Sequence, residues 1–93
     1  METFGDIIKT ERESKSLLLR QVASALEIDQ AIISKFERGE RKPTKEQVEK
    51  FAEYYGLDKN KLITSWLSDQ IANTILYEEN IGEVLKIAKK KAL

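Results

Sequence analysis

The side chains of this sequence best suited to chemistry are gathered between residues 30 and 45. Gln30, Ala31, Ser34 and Lys35 share one side of a helical wheel, with Arg38 beside them, and Arg41, Lys42 and Lys45 follow closely. An amide can pair with the edge of adenine, an ammonium or guanidinium can donate to guanine or to a phosphate oxygen, and small side chains allow close approach. That is chemistry of recognition. Catalytic chemistry finds little to work with. The chain has no cysteine and no histidine, which removes a thiolate nucleophile, the commonest metal ligand and the commonest general base. Its 16 Asp and Glu residues fall into no paired-acid or nucleophile motif. No enzyme activity, no metal site and no cofactor is expected.

The elements that must position these groups read as helices. Val22, Ala23 and Leu26 recur on one face of a short helix of about residues 19 to 26. Asp29 is a suitable N-cap for the next helix, whose inner side carries Ile33, Phe36 and Glu37, and Gly39 stops it. A basic loop follows. From Lys35 to Lys45 there are 5 Lys and Arg residues against the two acids Glu37 and Glu40. By periodicity alone the face of Gln30, Ala31, Ser34 and Lys35 would serve equally as solvated surface. Its place after a tight turn and before a basic loop makes base reading the favoured role. Arg38, Arg41, Lys42 and Lys45 are then phosphate-binding candidates. Ile32 is open between a thymine methyl and plain packing.

Elsewhere the helical phase is continuous. Thr3 and Asp6 form an acid variant of the capping box, with a first helix of about residues 4 to 15. Thr44 and Gln47 form a second box ahead of Val48, Phe51, Ala52 and Tyr55, and Gly56 closes that helix. Asp58 caps a fifth helix carrying Leu62, Ile63, Trp66, Leu67, Ile71 and Ile75. Asn80-Ile81-Gly82 reads as a break, after which Ile81, Val84, Leu85 and Ala88 give a last amphipathic helix ending in three lysines.

The central stretch resembles the XRE-like helix-turn-helix proteins, the type of phage Cro and the lambdoid repressors. The resemblance is carried by Val22-Ala23, Leu26, Ile28-Asp29, Ile33-Ser34, Phe36-Glu37-Arg38-Gly39 and Lys42-Pro43, and covers roughly residues 4 to 63. It implies an all-α, five-helix, lambda-repressor-like domain, here expected over residues 1–65, with a C-terminal helical extension over 66–93. It also implies that Arg12 of the first helix pairs with Glu37 of the recognition helix as a structural salt bridge. The sequence departs from the family where a Ser or Thr cap and then a Gln are common, since Leu18 and Leu19 stand there. Either Leu18 packs while Leu19 is exposed or covered by a partner, or the second helix touches phosphate through backbone N–H groups and Arg20. Glu27 occupies a turn position where the family favours glycine.

The chain of 93 residues allows one small domain. Its net charge of zero argues mildly against nucleic acid, but the cations are concentrated near the recognition helix. No membrane span and no signal sequence is visible, so a cytoplasmic protein is expected. Trp66, Leu67, Ile71, Ile75, Ile81 and Leu85 exceed what so small a core needs and are expected to form a dimer interface. The implied function is sequence-specific binding of double-stranded DNA, at a palindromic operator, by a homodimer that regulates transcription as a repressor. The alternatives are an antitoxin whose C-terminal helices neutralise a toxin, and the controller of a restriction–modification system.

Overall fold

The computed structural model describes residues 2–93. Its six helices are α1 (Phe4–Ser14), α2 (Leu19–Leu26), α3 (Gln30–Glu37), α4 (Lys45–Tyr55), α5 (Lys59–Ile75) and α6 (Ile81–Ala92), with no strand among the described residues. The all-α, helix-turn-helix architecture read from the sequence is the observed one.

Local chemistry sets most of the boundaries. Thr3 accepts from the Asp6 N–H at 3.1 Å while the Asp6 carboxylate accepts from the Thr3 N–H, and the same reciprocal arrangement joins Thr44 and Gln47. Asp29 and Asp58 accept from the N–H groups of Ala31 and Lys61 at 2.8 and 3.0 Å. The turn between α2 and α3 places Glu27 in the left-handed region at φ 55°, a strain that glycine would not carry. Gly56 closes α4 at φ 68°.

Phe4, Ile8, Val22, Leu26, Ile33, Phe36, Val48, Phe51, Tyr55 and Leu62 form one core drawn from all of the first five helices. Phe51 sits at its centre, edge-on to Phe4 and to Phe36 with ring centroids 5.9 and 6.2 Å apart. The start of α1 is pressed onto the end of α3. A methyl group on Gly5 would lie 2.6 Å from the Phe36 carbonyl oxygen and 2.8 Å from that of Glu37, so only glycine fits.

Two features differ from the sequence reading. Leu18 is the N-cap of α2 and is half exposed, whereas Leu19, the first helical residue, turns in and packs on the core. Leucine offers no side-chain acceptor, and the Leu18 N–H is satisfied instead by the Gln21 amide oxygen at 2.7 Å. The break before the last helix lies at residues 76–80, where Tyr77 adopts φ 76°, so Ile81 and Gly82 are already helical. As its continuous apolar phase predicts, α5 runs unbroken from Lys59 to Ile75.

No residue of α6 is buried. The radius of gyration is 14.9 Å, against about 12 Å expected for a compact chain of this length. The excess reflects α6 standing away from the body formed by the other helices. No helix is long and apolar enough to cross a membrane among the described residues.

Candidate nucleic-acid interface

The side of α3 turned from the core exposes Gln30, Ala31 and Lys35 to solvent, and Ser34 in part. The buried side, Ile33, Phe36 and Glu37, fixes the rotation of the helix about its axis. Ile32, between the two, is half-buried and packs against the core. Neither Gln30 nor Lys35 has a side-chain hydrogen bond or ion pair among the described residues, so both are available to a ligand.

The helix is held from behind by Arg12. Its Nε and Nη2 donate to the two carboxylate oxygens of Glu37 at 2.8 and 3.0 Å, and Nη1 donates to the Leu17 carbonyl at 3.0 Å. The fork binds α1, the α1–α2 connection and α3 together. Both partners are largely shielded, at 14% and 5% side-chain exposure. The hydrogen bonds to Glu37 raise the Arg12 pKa further above its already high ordinary value, although partial burial opposes the rise.

The cations around α3 divide into two kinds. Arg38 is engaged: its Nε donates to the Glu40 carboxylate and its Nη1 to the Ser34 hydroxyl, so a phosphate there shares the guanidinium with an acid. Arg20, Arg41, Lys42 and Lys45 are exposed and have no ion-pair partner among the described residues. Arg20 lies in the first turn of α2, and Lys45 opens α4. The positive end of a helix dipole disfavours a cation, and a phosphate placed there would interact favourably with both.

Arg38, Arg41 and Lys42 border one open groove with Pro43, Trp66 and Asp69. The groove shows how the basic loop is fixed. Pro43 is buried, and its carbonyl oxygen accepts from the Trp66 indole Nε1 at 3.2 Å. Asp69, one turn further along α5, accepts from the Phe4 N–H at 2.8 Å and so satisfies a free donor at the start of α1. Trp66, expected at a dimer interface, is half-buried, and its indole N–H is engaged within its own chain. Gly5, Trp66 as a clamp, and Asp69 are supporting residues that sequence reasoning did not find. The signal available was Gly5 itself, a poor helix former set one residue into a capped helix.

Of the remaining residues expected at a dimer interface, Leu67 and Ile71 are exposed on the outer side of α5, Ile75 is half-buried at its end, and Ile81 and Leu85 are exposed on α6. They leave two apolar surfaces uncovered among the described residues.

No curated protein and no solved structure matches the sequence. The helix-turn-helix family pattern matches residues 8–62, more than half of the chain, and spans both helices of the motif, the Arg12–Glu37 fork and the basic loop. The chain belongs to the XRE-type helix-turn-helix family of DNA-binding transcription regulators.

Proposed function

We propose that the protein binds duplex DNA in a sequence-specific manner as a homodimer and represses transcription at a palindromic operator. The observation that carries the reading is the unpaired Gln30–Lys35 face. It lies on a helix whose rotation is fixed by the core and by Arg12, and it is flanked by uncommitted cations. Gln30, Ala31, Ser34 and Lys35 would enter the major groove, where an amide and an ammonium discriminate between bases. Arg20, Arg41, Lys42 and Lys45 would hold the phosphates on either side, with Arg38 joining them. Repression needs only occupancy of a site that polymerase requires. The uncovered apolar surfaces of α5 and α6 support a dimer, and a two-fold pair of recognition helices suits a palindrome.

Fluorescence anisotropy of a labelled duplex, titrated over a range of salt concentrations, tests the interface. Binding should weaken linearly on a log–log plot, and Arg41→Ala and Lys42→Ala should each flatten the slope by roughly one unit. Slopes unchanged in both variants would place the DNA surface elsewhere.

A further inference from the structure

The two helices beyond the DNA-facing surface carry apolar stripes that nothing among the described residues covers. On α5, Leu67 and Ile71 are 45% and 51% exposed, on the side opposite the buried Leu62. On α6, Ile81, Val84, Leu85, Ala88 and Ala92 fall on one side at helical spacing. Charge along this end of the chain is sharply ordered. Residues 78–83 contain Glu78, Glu79 and Glu83 and no base, whereas residues 86–91 contain Lys86, Lys89, Lys90 and Lys91 and no acid. Lys89 and Lys91 border the apolar stripe of α6.

That order discriminates between occupants. An anionic surface, whether lipid or an acidic protein, would meet the lysines favourably but the three glutamates unfavourably. A second α6 lying parallel would set acid against acid and lysine against lysine. A second α6 lying antiparallel sets each acidic end beside a lysine-rich end, twice, about one two-fold axis. Opposite charges within a Debye length attract, and an isologous contact of this kind closes on itself.

We propose that the homodimer is built by antiparallel pairing of α6 with α6 of a second copy, centred between Leu85 and Ala88, over the outward stripes of α5. The inference rests on the homodimer reading above and adds its geometry. Ile81 of one copy then lies near Ala92 of the other. These two positions are about 16 Å apart along one helix, so neither meets its own counterpart.

The absence of native cysteine makes the pairing directly readable. Single-cysteine variants of the full chain are oxidised at micromolar concentration, with sedimentation in parallel. Ala88→Cys, near the axis, should cross-link to itself. Ile81→Cys and Ala92→Cys should each stay uncross-linked alone and should couple when mixed. A charge variant, Lys89→Glu with Lys90→Glu and Lys91→Glu, should weaken the dimer at least tenfold. Adding Glu78→Lys, Glu79→Lys and Glu83→Lys to the same chain should restore it, with circular dichroism confirming the helix throughout. A dimer in which Ile81→Cys cross-links to itself, or in which the charge variants change nothing, overturns the antiparallel pairing and leaves the homodimer intact. A monomer in sedimentation overturns both.

Discussion

The indole of Trp66 on α5 donates to the carbonyl oxygen of Pro43 in the basic loop, across 23 positions of sequence. The bond fixes the segment that carries Arg41 and Lys42 against a helix whose own position is set by the core. Cations on an untethered loop would lose conformational freedom on meeting phosphate, whereas a tethered loop presents them already in place. Trp66→Phe keeps most of the packing and removes the donor. A neutral hydrogen bond contributes about 1 kcal/mol to the folded state, so the Tm should fall by about 4–8 °C and DNA affinity by up to about fivefold at fixed salt. An unchanged Kd would mean that the loop is positioned by packing alone.

Gly5 makes the opposite prediction from helix propensity. Alanine is the better helix former by about 1 kcal/mol, yet its methyl group would press on the Phe36 and Glu37 carbonyls at 2.6 and 2.8 Å. Relieving that contact requires α1 to move off α3, and overpacking of this kind costs about 1–3 kcal/mol. Thermal unfolding of Gly5→Ala should show a lower Tm. A rise would show that the two helices are less closely packed than described.

The Arg12–Glu37 fork should behave as a structural bond. Arg12→Met leaves the Glu37 carboxylate shielded and without its partner, which should destabilise the domain by about 3–5 kcal/mol. Arg12→Met combined with Glu37→Leu should recover much of the loss, because no buried charge then remains. Urea denaturation of both variants checks this. Wild-type stability in the single variant would contradict the burial of the pair.

Tyr55 should make the domain sensitive to alkali. Its hydroxyl is buried without a hydrogen-bond partner among the described residues, and burial, followed by the nearby Glu37 charge, pushes its pKa above the ordinary value of about 10. With the folded-state pKa raised, the unfolded chain loses its phenolic proton first as pH rises. Stability is therefore unaffected by this group below about pH 10 and falls above it. Tyr55→Phe removes the group, so the gap in unfolding free energy between variant and wild type should widen in the variant's favour from pH 9 to pH 11. Parallel curves for the two proteins would rule Tyr55 out as the cause.

The contrast between what could and could not be read from the sequence follows from the range of the interactions. Thr3, Asp29, Thr44 and Asp58 announce helix starts because a cap is satisfied within three residues of itself. The outward face of α3 could be read because Ile33, Phe36 and Glu37 mark its inward face at helical spacing. Gly5, Trp66 and Asp69 could not, since each acts on a partner remote in sequence, namely the α3 carbonyls, Pro43 and Phe4. The two leucines at 18 and 19 are alike in composition, and only the extended backbone at the cap decides which of them turns inward. The break at residues 76–80 was displaced toward Gly82 because Leu76 and Tyr77 carry no turn-forming signature.

Selection of duplexes from a random pool by the full-length protein, followed by sequencing, tests the central claim most directly. The proposed reading predicts enrichment of two inverted half-sites whose centres lie about one helical turn, roughly 10 base pairs, apart. Repeating the selection with Gln30→Ala should relax the preference at particular positions within each half-site and lower affinity for the best sequence by about 1–3 kcal/mol. Failure to enrich any sequence, or an unaltered preference in Gln30→Ala together with a uniform loss of affinity, would contradict base reading by the exposed face of α3.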